Sequence, residues 1–99
     1  MNEHLIESAY DLAQKHYTDA ELAVFKELNS KFRDEDFDTI HLAGKRAMQL
    51  HLAALNLAHK VSNENFPYEK ALNILQSQFS EIPAATCQRA FSIAHLKTR

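Results

Sequence analysis

One glycine, Gly44, and two prolines, Pro67 and Pro83, punctuate 99 residues, and this scarcity of turn-formers constrains the fold more than any other feature. Tight β-hairpins need residues that tolerate positive φ, and a sheet protein needs several such turns. A chain this poor in them reads instead as helices joined by short polar loops. With 45% hydrophobic and 24% charged residues, it has enough apolar surface to bury for a globular fold. Its length suits one helical domain, residues 1–99, stable without a disulfide or a metal.

Apolar periodicity divides the chain into five helical segments. From Glu3 to Tyr17, Leu5, Ile6, Ala9, Tyr10, Leu12, Ala13, His16 and Tyr17 share one arc at about 100° per residue. Thr18 and Glu21 have capping-box spacing, which starts a second helix near Asp19 with the stripe Leu22, Phe25, Leu28 and Phe32. In "RDEDFD", Asp34 or Asp36 can cap a third helix running from about Asp36 to Val61. Pro67 opens a fourth helix carrying Phe66, Ala71, Leu72, Leu75 and Phe79. A fifth runs from Pro83 to about Leu96 and buries Cys87, Ala90, Phe91 and Ala94. The expected fold is all-α, a compact bundle of about five helices with a long central third helix.

Charge is unevenly spread. Residues 1–38 hold ten acids against four bases, a net −6, and residues 39–99 hold three acids against seven bases, a net +4. The start, "MNEHLIESAYDL", is acidic and amphipathic with no basic region before an apolar run, so no secretory leader is expected. Cys87 is the single cysteine, which leaves no internal disulfide and implies a reducing compartment. No apolar run approaches the roughly 18 residues of a membrane span. A cytoplasmic protein without membrane contact is the expectation.

The third segment, "HLAGKRAMQLHLAALNLAH", decides whether chemistry is expected. Ile40, Ala43, Ala47, Leu50, Ala54, Leu57, Ala58 and Val61 fall on one arc, and Met48, Leu52 and Leu55 on a second strip, as for a helix covered on two sides. His41 and His59 lie at one edge of the wetter face, roughly 27 Å apart along the axis, too far to share a metal. No His-x-x-x-His pair occurs, and no metal or cofactor is expected. The residues "DFDTIHLAGKRA" resemble the histidine phosphotransfer domain, a helical bundle of similar length. That family's motif has Lys three and Gly four residues after the phosphorylated His, whereas here Gly44 is at three and Lys45 at four. The resemblance implies His41 as phosphoacceptor, with Lys45 neutralising the phosphate.

The last two helices carry a second resemblance. "IPAATCQRAF" is similar to the recognition helix of helix-turn-helix repressors, where an Ala-Thr-x-x-Arg pattern is common. It implies a DNA-binding unit over residues 69–96, with Thr86, Gln88 and Arg89 facing DNA. The lone glycine excludes a Gly-rich phosphate loop. Cys87 falls on an apolar face, and no nucleophile elbow is present. No catalytic residues are expected, and the chain reads as non-enzymatic.

What remains is a small regulator or inhibitor that acts by binding another protein, of the immunity-, antitoxin- or phage-inhibitor-like kind. Its expected contact surface is the acidic face of the first two helices and the turn after them: Glu7, Asp11, Glu21, Glu27, Asp34, Glu35, Asp36 and Asp38, suited to a basic partner. Nucleic acid is the secondary partner expected. A homodimer would bury the Ala43, Ala47 and Ala54 seam or the Phe-rich second helix.

Overall fold

The computed structural model describes residues 3–15 and 21–98, with the backbone alone at 3 and 21–23. It is all-α: Glu3–Lys15 (α1), Glu21–Lys31 (α2), Phe37–Glu64 (α3), Tyr68–Gln78 (α4) and Ala84–Thr98 (α5). There is no strand among the described residues. The all-α class, the five helices and the long third helix agree with the sequence reading. The helices gather into two compact units, residues 1–49 and 50–99, with α3 running through both. None of the helices described is long and apolar enough to cross a membrane.

Local chemistry sets the helix ends. The backbone N–H of Thr39 donates to Asp36 Oδ1 at 2.7 Å, so Asp36, rather than Asp34, caps α3 and satisfies one of its orphan donors. That bond holds the Asp36 carboxyl below its ordinary pKa. α3 continues past Val61 to Glu64 and stops at Asn65, whose φ of 56° turns the chain, a conformation Asn tolerates better than most residues. Pro67 lies just before α4, not in its first turn; its extended backbone (φ −60°, ψ 131°) is that of an N-cap, and its carbonyl accepts from Ala71 N–H at 3.0 Å. Pro83 does the same for α5, accepting from Thr86 and Cys87. The Thr18–Glu21 capping box, His16, Tyr17, Asp19 and the Leu22 side chain lie outside the described residues.

In the first unit, α1 buries Leu5, Ile6, Ala9, Tyr10 and Ala13, and Leu12 stays half-buried. The α2 stripe is a correction: Val24 and Leu28 are the buried residues, while Phe25 and Phe32 are half-buried. Each of those two rings has another partner. Phe32 meets His4 edge-on at 5.6 Å, and Phe25 stacks on His41. From α3 the unit takes Ile40, Ala43 and Ala47, all buried.

In the second unit, Leu50, Ala54, Leu57 and Ala58 of α3, Ala71, Leu75 and Phe79 of the α4 region, and Cys87, Ala90, Phe91 and Ala94 of α5 are buried. The hydroxyls of Ser62 and Thr98 lie 3.4 Å apart, joining the ends of α3 and α5. Two further expectations are corrected. The second apolar strip of α3 is only partly covered: Met48 and Leu55 are half-buried, while Leu52 faces solvent at 53% exposure. The Ala43, Ala47 and Ala54 seam is closed within the chain, so it offers no dimer surface.

His51 is buried in the second unit at 3% exposure. Burial lowers its pKa from the ordinary 6.5, and the charge of Lys97 on α5 acts the same way. A histidine kept neutral by the fold favours folding fully above the unfolded pKa, and that contribution is lost as pH falls below about 6.5 toward the folded value. Urea midpoints should therefore drop more between about pH 7.5 and about pH 5.5 for the wild type than for His51→Leu. Equal drops would show that His51 does not carry the effect.

Candidate functional site

On α1, the residues opposite the buried arc include Glu7 and Asp11, one turn apart and both exposed. On α2, Glu27, Ser30 and Lys31 are exposed, while Val24 and Leu28 point inward. The two outer edges meet in a groove of about 280 Å³ lined by Ser8, Asp11 and Leu12 from α1 and Glu27, Ser30 and Lys31 from α2. Each helix contributes a trio at i, i+3 and i+4, the spacing that puts three side chains on one face. The groove thus offers a carboxylate from each wall, two serines, one leucine and one lysine ammonium. Such a lining can receive a cationic side chain between carboxylates, with the hydroxyls available to its N–H groups.

The acids expected to bind a partner are distributed as follows. Asp11 and Glu27 come together in the groove, and Glu7 extends its α1 wall. Asp34, Asp36 and Asp38 are exposed around the turn into α3, and Glu35 is half-buried there. Asp36 has a structural duty as well, since its carboxylate caps α3. The side chain of Glu21 lies outside the described residues. The sequence reading missed Ser8, Leu12, Ser30 and Lys31, which are unremarkable types one at a time. Their shared i, i+3, i+4 spacing with Asp11 and Glu27 was the available signal.

His41 and Lys45, the residues of the phosphotransfer resemblance, lie one turn apart on α3. The His41 ring is half-buried and lies against Phe25 (centroids 4.4 Å apart, planes 15° apart) and Phe37 (5.8 Å, 24°). Gly44, one turn further along α3, is the notch into which the Phe25 ring fits. A Cβ there would come within 2.9 Å of Phe25 Cδ1 and closer still to Cε1. The chain's own aromatic ring therefore fills the space beside Gly44. Lys45 is exposed.

For the helix-turn-helix alternative, Gln88 and Arg89 are exposed on α5, but Thr86 is only 1% exposed. That is a correction: Thr86 falls on the same helical face as Ala90 and points into the core, so it cannot reach a DNA groove. Between α4 and α5 no residue has positive φ. Among the described residues, no group of three or more His, Cys, Asp and Glu side chains converges as a metal site would require. Cys87 is buried, and burial pushes its thiol pKa up, with Glu81 adding to the shift. A thiol so placed is a poor nucleophile.

Neither protein-family models, nor curated proteins, nor solved structures yield a match to this chain.

Proposed function

We propose that the chain is a small, non-enzymatic regulator or inhibitor that acts in the cytoplasm by binding another protein, in the manner of immunity, antitoxin or phage-inhibitor proteins. Its contact surface on this reading is the acidic face of α1 and α2, with the turn into α3, and its partner presents a basic surface. The observation that carries the reading is the groove that sets Asp11 of α1 and Glu27 of α2 on facing helices, next to the exposed Glu7. Carboxylates brought to a concave surface by two separate helices speed the encounter with a basic partner and fix its register.

The test begins with capture of the tagged chain's partner from nuclease-treated host lysate at low and high salt. The association rate is then measured for the wild type and for Asp11→Lys/Glu27→Lys. The charge reversal should slow association by about 10–100-fold at low salt, with the gap narrowing as salt rises. Unchanged rates would reject the acidic face. Recovery of nucleic acid in place of a protein, lost in Arg89→Ala, would favour α5 instead.

A further inference from the structure

We infer that the groove between α1 and α2 is the seat for one guanidinium group, carried by an arginine side chain of the partner; this rests on the protein-binding reading above and names what that partner inserts. Ser8 distinguishes the groove from a gap between two acids. It lines the groove and is only 7% exposed. Among the described residues, no hydrogen bond engages its hydroxyl. Buried hydroxyls are hydrogen-bonded as a rule, so this one takes its partner from what enters the groove.

The rest of the lining says which group that is. Asp11 and Glu27 bring two negative charges and Lys31 one positive, so a single monovalent cation completes the balance. Ser8 and Asp11 stand on the α1 wall, Glu27 and Ser30 on the α2 wall, so acceptors lie on both sides of the groove. A lysine ammonium concentrates three donors at one point, which suits acceptors on one side. A guanidinium spreads five N–H groups around the edge of a plane and can donate to both walls at once. It is also the more weakly hydrated cation and leaves water at lower cost. Leu12, half-buried in the same lining, offers an apolar surface to the methylene stem. The volume of about 280 Å³ lies just below the range of drug-sized pockets, which is room for one side chain and not for a whole helix.

Short peptides titrated into the isotope-labelled full chain test this, read by amide chemical shifts. They are end-capped alanine peptides with a central Arg, Lys or citrulline, the last having the shape of arginine without its charge. The Arg peptide should bind at millimolar strength, with shifts centred on the groove residues of α1 and α2. The Lys peptide should bind about fivefold more weakly, and the citrulline peptide not at all. Asp11→Asn/Glu27→Gln should abolish the Arg shifts. Ser8→Ala removes a single oxygen and should narrow the Arg-to-Lys ratio toward one; a Ser8 with only a structural role would leave that ratio unchanged and overturn the inference. Equal binding of the Arg and Lys peptides, shifts centred outside α1 and α2, or no binding would overturn it too. So would tighter binding of free arginine, which carries the same group on a small molecule, or of calcium ion. Any of these results beside slowed association of Asp11→Lys/Glu27→Lys would leave the acidic-face reading in place. Arg-selective peptide binding beside unchanged association of that variant would reject the acidic face as the partner's contact, and the partner's arginine with it.

Discussion

Phe91→Ala should destabilise the protein by about 3–5 kcal/mol, the range for deleting a fully buried aromatic side chain. Phe91 is 0% exposed on α5. Its ring packs against Tyr68 at 4.8 Å and 57°, and against His95 at 6.5 Å and 18°. Tyr68 also meets His95 edge-on at 5.3 Å, so the deletion removes one member, the fully buried one, of a cluster in which each of three rings meets the other two. The two neighbouring rings cannot close the gap easily, because they are anchored on different helices, Tyr68 on α4 and His95 on α5. Domains of this size hold about 5–15 kcal/mol in total, so the loss is a large fraction of what is available. Phe91→Leu, which keeps most of the volume, should cost less than about 1.5 kcal/mol. Leu96→Ala, at a site 64% exposed, should stay within about 0.5 kcal/mol. Urea unfolding followed by far-UV circular dichroism separates these cases, provided the slope against denaturant is unchanged. A Phe91→Ala midpoint close to that of Leu96→Ala would contradict the packing described.

How much of this arrangement can be read from sequence differs from residue to residue. The buried side of α5 follows from spacing alone, since Cys87, Ala90, Phe91 and Ala94 repeat at helical intervals and all are buried. The α3 seam of Ile40, Ala43, Ala47, Leu50, Ala54, Leu57 and Ala58 follows equally well, because small and apolar types recur on one arc for five turns. Periodicity fails where two apolar arcs compete. Around α2, Phe25 and Phe32 are the larger apolar side chains, yet Val24 goes inside while the rings have aromatic partners elsewhere. Leu52 fails for a different reason: a helix wheel ranks it as apolar but cannot say whether a neighbour arrives to cover it. The candidate site was half legible. Asp11 and Glu27 stood out as charges, whereas the groove between them depends on which edges of α1 and α2 meet, which is tertiary information.

The histidine segment makes the same point through Gly44, and here a reversal of sign is expected. In an exposed helix interior, Gly→Ala stabilises by about 1 kcal/mol, because alanine has less backbone freedom to lose on folding. At Gly44 the added methyl meets Phe25 Cδ1 at 2.9 Å and the adjacent ring carbon more closely. The Phe25 ring is the far end of a side chain and can swing aside, but in doing so it leaves the notch and the face of His41. Displacing a seated ring costs about 1–3 kcal/mol, so Gly44→Ala should destabilise on balance, by about 1 kcal/mol. Gly44→Leu, which needs the whole space the ring occupies, should cost about 2–3 kcal/mol. The decisive comparison is made in a Phe25→Ala background. With the ring gone the methyl has room, only the helix-propensity gain survives, and Gly44→Ala should become stabilising by up to about 1 kcal/mol. A glycine kept merely as a flexible point in the helix would give the same sign in both backgrounds. A reversal would assign Gly44 to the fit of Phe25, and through it to the ring stack that carries Phe37 to the surface.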